Sequence, residues 1–440
     1  MRPLLLLALA GALTAAVAVK PGSDPSKHVL KGKLVTPDEV LDGELVIQGN
    51  TITCVAADCD DPAGASLITI TNAYVFPGFL DAHNHVAYNF LPKWIPPKLY
   101  KNRSQWQAAQ SYKEFKKPYN ELKDNKGLFC EMLKYGEIKA LISGVTTIQG
   151  TSPGSACVKT LIRNAENQNE LGLDARHVRT YILDIGNFDG SIDPAVTKSF
   201  VVHIAEGIDE KSRKEFDTLK QKGLLTAQTA IIHGTALGAA EFQQMAKAGA
   251  KLIWSPQSNL ALYGQTTNIK LALEHGVAVS LGVDWNPSGS NHIFDELRVA
   301  AEVDQEEFGG VLKGLDLVKM ITSNPARALG LEAHLGRLAA GLKADITVVG
   351  LKDADPGQSL LKSHLNDVQM VWLGGELLYG DAAAVQRIKP DQCEPLAVLG
   401  AKKRICVKDS KDPVEKSNQT LAEIQSLLLT NYPGVAPLVQ

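Results

Sequence analysis

Residues 75–86 read Val-Phe-Pro-Gly-Phe-Leu-Asp-Ala-His-Asn-His-Val, an apolar run that ends in Asp81 and then offers His83 and His85 on alternate positions. In a β-strand, side chains at i and i+2 point to the same face, so both rings project together from the strand's C-terminal end. Two neutral imidazoles brought together in this way suit a divalent metal such as zinc. The same pair also fits a turn cap beside a packed histidine, because His is an ordinary partly buried residue. Three later stretches decide between these readings. Ser199-Phe-Val-Val-His203-Ile-Ala-Glu206, Ala230-Ile-Ile-His233 and Val277-Ala-Val-Ser-Leu-Gly-Val-Asp284 are each an apolar run of strand length ending in a metal-competent or acid/base residue. Their separations suit strands alternating with helices.

The elements that must position these residues are therefore parallel strands in βα units. The order Pro-Gly-Phe-Leu-Asp-Ala-His-Asn-His, His-Ile-Ala-Glu, Ile-Ile-His-Gly and Leu-Gly-Val-Asp resembles the amidohydrolase superfamily. The likeness is to its mononuclear branch of cytosine, guanine and S-adenosylhomocysteine deaminases and triazine hydrolases, and it runs from about residue 32 to about residue 381. It implies an α/β fold, a distorted (β/α)8 TIM barrel over residues 75–335, with a small β-sandwich built from both chain ends, residues 28–74 and 336–381. It implies metal ligands at His83, His85, His203 and Asp284, with Asp284 also accepting a proton. It implies further that His233 polarises the substrate's C=O or C=N group and that Glu206 shuttles a proton. Trp254-Ser-Pro-Gln-Ser-Asn259 is similar to the branch's late-strand signature, with Trp254 where a smaller residue is common, so Trp254 is a candidate wall of the substrate pocket. His292, on the Gly- and Ser-containing loop after Asp284, is a second candidate substrate contact.

A catalytic zinc site needs about three protein ligands and an open position for water, whose pKa zinc lowers to near 7. One divalent metal is expected, zinc or alternatively iron. The dinuclear branch uses a lysine on a mid-barrel strand; residues 179–185 contain none, and Lys198 precedes its strand. No Gly-x-Ser-x-Gly elbow and no Gly-x-x-x-x-Gly-Lys-Ser/Thr loop occurs. His28, His177, His275, His334 and His364 have no acid/base context and read as structural.

A net charge of −3, with no long Lys or Arg run, argues against nucleic acid as a partner and leaves a small-molecule substrate. A homo-oligomer is compatible with these numbers. Met1-Arg2-Pro3, an apolar stretch over residues 4–19 and Ala16-Val17-Ala18 describe a signal peptide over residues 1–18, hence a secreted chain with no membrane span after cleavage. The six cysteines agree with an oxidising compartment, and sequence proximity suggests Cys54 with Cys59, Cys130 with Cys157 and Cys393 with Cys406. Asn102-Arg-Ser and Asn418-Gln-Thr fit the N-glycan acceptor pattern.

Residues 88–124 interleave aromatic residues with Pro92, Pro96, Pro97 and many lysines on the face where such barrels hold their sites. They fit a lid or substrate wall, or a structural excursion on the barrel rim. The chain between Gln149 and His203 is short for the βα units it must hold, so either one unit is abbreviated or the strands placed there are misassigned. Residues 382–440 read as a disulfide-containing tail. The expected activity is metal-assisted attack of water on a carbon-nitrogen bond other than a peptide bond, either deamination of a heterocycle or hydrolysis of a small amide. The rival is a non-catalytic secreted binding protein that keeps the barrel; the presence of all six of His83, His85, His203, Glu206, His233 and Asp284 weighs against it.

Overall fold

A computed structural model describes residues 17–150, 157, 161–167, 171–390, 393–408 and 418–439. Short alternating stretches bounded by Gly and Asp make the first strands: β1 (Val17–Lys20), β2 (Lys27–Val35), β3 (Val40–Gln48), β4 (Thr51–Ala56) and β5 (Ser66–Pro77). The barrel strands follow: β6 (Phe79–Asp81), β7 (Val145–Ile148), β8 (Arg163–Asn164), β9 (Val178–Tyr181), β10 (Ser199–Ile204), β11 (Thr229–His233), β12 (Lys251–Trp254) and β13 (Val279–Leu281). The chain then returns through β14 (Ile346–Gly350), β15 (Val368–Leu373), β16 (Glu376–Asp381), β17 (Glu394–Val398) and β18 (Ala401–Ile405).

The barrel strands form two parallel ladders, β6-β7-β8 and β9 through β13. They are buried on both sides, which is why they read as unbroken apolar runs and not as alternation. β13 meets β6 through an Asn84–Asp284 bridge, with Asp284 N donating to His83 O at 2.8 Å. At the other seam the buried Glu166 carboxylate accepts from Gln149 Nε2 at 2.8 Å and from Thr180 Oγ1 at 2.9 Å, tying the end of β7 to β9. The abbreviated unit is β8, only two residues long.

Both chain ends meet in one ten-stranded sheet, ordered β17-β18-β16-β15-β14-β5-β2-β3-β4 with β1 on β5. β5 pairs with β14 as far as Pro77, and the barrel begins at Phe79, slightly later than the boundary at residue 75 expected from sequence. Gly78 makes the turn between them, where a Cβ would lie 2.2 Å from Thr146 Oγ1. The segment set apart as a tail is integrated: β17 and β18 extend this sheet, and helix Leu421–Asn431 packs on helix Phe129–Leu141, with Tyr135 Oη donating to Ala436 O. Disulfides join Cys54 to Cys59, Cys130 to Cys157 and Cys393 to Cys406, the three pairings that proximity suggested.

The expected leader lies outside the described residues up to residue 16, while Val17–Lys20 pairs antiparallel with Leu67–Ile70. Among the described residues no helix is long and apolar enough to cross a membrane. The two glycan acceptors separate. Asn418 is exposed, whereas Asn102 is buried and its Nδ2 donates to Asp209 Oδ2 at 2.6 Å, so a glycan there does not fit the fold.

Candidate metal centre and acid/base site

His83 and His85 lie just beyond β6, not within it, but the Asn84–Asp284 bridge keeps the backbone strand-like there and both rings on one side, 5.3 Å apart. His203 comes from β10, His233 from the end of β11, and Asp284 from the turn after β13. His83 Nε2 lies 3.1 Å from His203 Nε2 and 3.2 Å from Asp284 Oδ1, and His85 Nε2 lies 3.4 Å from the same oxygen. Donor atoms of His83, His85 and His203 lie within 4.8 Å of one another, and so do those of His83, His233 and Asp284.

The close approach is built into the backbone. Gly282 passes so near His83 that a Cβ would stand 2.4 Å from His83 N. Ala205, His233 and Asp284 take left-handed φ of 56°, 69° and 62°. A non-glycine residue there costs on the order of 1–2 kcal/mol, and such strain persists only where the surroundings hold it. All three stand at or just past the ends of barrel strands, and His233 and Asp284 bring their side chains to His83.

The electrostatics suit a cation. Burial pushes His83 and His203 well below the usual imidazole range, keeping the rings neutral with one nitrogen of each free to accept. Burial alone would raise Asp284, but His83 and His85 outweigh it and hold the carboxylate well below its usual range. Asp81, fully enclosed beneath the site, is pushed up to about 7 by burial while accepting from Asn84 Nδ2 at 2.7 Å. Neutral imidazoles converging with an anionic carboxylate are a donor set that fits zinc. His83 Nδ1–H donates to Ser255 Oγ at 2.9 Å when Nε2 faces the metal, the orienting contact that metal-binding imidazoles commonly make.

Helix Pro256–Tyr263 places the other orienting groups. Pro256 at its start and Gly264 in the left-handed conformation just past its end delimit it as such residues usually do. Asn259 and Tyr263, four apart and so on one face, meet His233 and Glu206. His233 Nδ1–H donates to Asn259 Oδ1 at 3.0 Å, and Tyr263 Oη donates to Glu206 Oε1 at 2.8 Å. Glu206 Oε2 lies 3.7 Å from His233 Nε2. The sequence reading passed over Ser255, Asn259 and Tyr263, although the first two lie in the stretch singled out after Trp254.

A cavity of about 520 Å³ opens beside the cluster, its wall including His85, His203, Tyr88, Tyr119, Gln149 and Arg179. That volume suits a small molecule. The two expected substrate contacts are placed elsewhere. Trp254 is fully buried and donates its indole N–H to Thr266 Oγ1 at 2.7 Å. His292 caps helix Ile293–Val303, accepting from Asp295 N. Lys198 lies at the opposite end of β10, donating to Pro194 O and Ala195 O. The aromatic segment gathers on Trp285: Trp94, Trp106, Tyr112 and Phe115 pack round it with centroids 5.5–6.4 Å away. It is thus a packed structure that also contributes Tyr88 and Tyr119, stacked at 3.8 Å, to the cavity wall.

Comparison with known proteins agrees with this geometry. A 5-methylthioadenosine/S-adenosylhomocysteine deaminase of Pyrococcus abyssi is 32% identical over 198 residues, 41% of this chain and 46% of that protein. The chain thus aligns with less than half the length of that relative, but a deaminase of the same name from Halobacterium salinarum is 24% identical over 367 residues, 73% and 83% of the two chains. The fold is similar to that of atrazine chlorohydrolase of Arthrobacter aurescens complexed with zinc and atraton, with TM-score 0.65 and 17% identity, covering 93% of this chain and 100% of that one. The model of the Amidohydrolase family matches residues 74–378, a span that contains His83, His85, His203, Glu206, His233 and Asp284. That match spans more than half of the chain, and the chain belongs to the amidohydrolase family.

Proposed function

We propose that the protein is a mononuclear zinc hydrolase that deaminates an aminated heterocycle or cleaves a small-molecule amide, acting outside the cell. The observation that carries this is the convergence of His83, His85, His203 and Asp284 at the same strand ends as His233 and Glu206. A divalent ion held by those four residues supplies Lewis acidity to the water or to the group under attack. The protein's own side chains do the rest. Asp284 Oδ1 is engaged by His83, His85 and the Trp285 N–H, so Oδ2 takes the proton of the attacking water. His233 Nε2 faces the substrate's C=O or C=N atom and stabilises charge as it builds there. The proton taken from the water then passes by way of Glu206 Oε2 to the departing nitrogen; the new carbon-oxygen bond replaces the carbon-nitrogen bond, whose electron pair goes to nitrogen.

Among the two reactions, deamination is favoured by the names of the relatives, 5-methylthioadenosine/S-adenosylhomocysteine deaminases. Export is supported by the apolar start of the chain and its three disulfides. N-terminal sequencing of secreted material beginning after residue 18 supports export; a retained leader in an intracellular product overturns it.

The experiment is elemental analysis of the purified protein beside Asp284→Ala, with release of ammonia or amine measured on 5-methylthioadenosine, S-adenosylhomocysteine, adenosine and an aminated triazine. About one zinc per chain, depleted in the variant, with turnover of one compound, is the expected result. Absence of metal in both proteins, with no activity restored by added zinc, overturns it in favour of a binding protein on the same barrel.

A further inference from the structure

The aromatic segment after His85 reaches the acid/base site by two routes. Its backbone grips the turn that carries Glu206: Arg103 N donates to Glu206 O at 3.2 Å, and Asn102 bridges to Gly207. Gly207 is required there, since a Cβ would stand 2.5 Å from Lys101 O and 2.7 Å from Asn102 Cα. Arg103 also pairs with Glu215 at 2.9 Å, and Glu215 Oε2 accepts the N–H of Ala205, the strained residue before Glu206. The second route is through side chains. Trp106 Nε1–H donates to Tyr263 Oη at 2.8 Å, and Tyr263 Oη donates to Glu206 Oε1 at 2.8 Å.

The direction of this relay follows from the groups. An indole N–H can only donate, so the Tyr263 oxygen must accept from it, and its single proton is left for Glu206. Tyr263 and Glu206 are 2% and 5% exposed, so water does not compete for either group. A hydrogen bond to an ionised carboxylate in such a place is about twice as strong as a neutral one. We propose that Trp106 and Tyr263 are positioning residues for Glu206. They hold Oε1 away from the reaction and leave Oε2 turned toward His233 and the substrate. The inserted segment is thereby part of the acid/base machinery, which rests on the reading of Glu206 as the proton carrier given above.

The test uses the zinc-loaded protein with its five tryptophans labelled with ¹⁵N at the indole. The Trp106 resonance is identified by its loss in Trp106→Phe. It is expected to shift in Tyr263→Phe and also in Glu206→Gln, which does not touch the indole. Kinetics on the panel compound that is turned over supply the second reading. Tyr263→Phe lowers kcat by about 10- to 100-fold with KM within about 2-fold, and has no further effect in a Glu206→Gln background. A merely structural tyrosine gives losses that multiply with those of Glu206→Gln and spread into KM. A Trp106 resonance unmoved by Glu206→Gln, or multiplying losses, overturns the relay. If no panel compound is turned over while the resonance couples as expected, the functional reading fails and the relay stands.

Discussion

Two buried histidine neighbourhoods stand at the two ends of the loop from Asp284 to His292, and only one of them gathers a donor set for a cation. Around His83 the partners are the imidazoles of His85, His203 and His233 and the Asp284 carboxylate, in two triads whose donor atoms each converge within 4.8 Å. Around His292 the ring faces the Asp295 carboxylate at 3.3 Å, Arg298 bonds that same carboxylate, and the Lys139 amine lies nearby. Burial pushes His292 down to about 4, so this ring too is neutral. Neutrality and burial are therefore common to both. What separates them is the sign and direction of the neighbours: the first set is converging acceptors, the second is an amine and a carboxylate already satisfied by arginine and a helix N-terminus.

The largest effect that can break the contrast comes from removing a ligand. His203→Ala should lose metal affinity by more than the roughly 10–100-fold that removal of an outer partner costs, and activity with it. Elemental analysis after dialysis against a chelator reads this directly. Full retention of zinc would mean that His203 does not belong to the donor set, and the first neighbourhood would be no better defined than the second.

A smaller effect sharpens the second neighbourhood. Burial, with a contribution from Lys93, lowers Lys139 from 10.5 to about 7, its ammonium donating to Asn89 O at 3.1 Å. The folded pKa lies below the unfolded one, so between about 7 and 10.5 the unfolded chain binds a proton that the folded chain does not. Stability attributable to this group therefore rises with pH across that window, by up to about 1.4 kcal/mol per unit, and is lost as pH falls toward 7. Denaturant unfolding at pH 7 and pH 9.5 should show that slope in the wild type and its absence in Lys139→Met. The variant should be more stable at pH 7 by about 2 kcal/mol and keep its zinc. Equal slopes in the two proteins would show that Lys139 is not the group being desolvated.

These differences bear on what a sequence reveals. That His83, His85, His203, His233, Glu206 and Asp284 come together was legible because each sits at or just past the end of an apolar strand, on one end of the parallel ladders. The disulfides were legible because their partners are near neighbours in the chain. Tyr263 was not, because its role depends on a helical spacing from Asn259 and on contact with Trp106, 157 residues away. The place of β17 and β18 was not, because an edge strand's partner is chosen in three dimensions and leaves no periodic mark. Trp254 and His292 misled for one reason: position beside a motif was read as orientation toward it, whereas Trp254 points to Thr266 and His292 to the start of its own helix.

The smallest effect tests that last point. His292 precedes helix Ile293–Val303 in extended conformation and its ring nitrogen accepts from Asp295 N, which is the work of an N-cap. Asn is among the best residues for that position, and loss of a cap altogether costs typically about 1 kcal/mol. His292→Asn should therefore change stability by less than about 0.5 kcal/mol and His292→Ala lower it by about 1 kcal/mol, both read by denaturant unfolding. Both should keep zinc, and kcat/KM should stay within about 2-fold of wild type, since the ring neither lines the cavity nor joins the donor set. A tenfold fall in kcat/KM for His292→Asn at unchanged stability would place the ring on the substrate after all. The loop after Asp284 would then move during turnover, and the boundary between the two neighbourhoods would hold only in the resting protein.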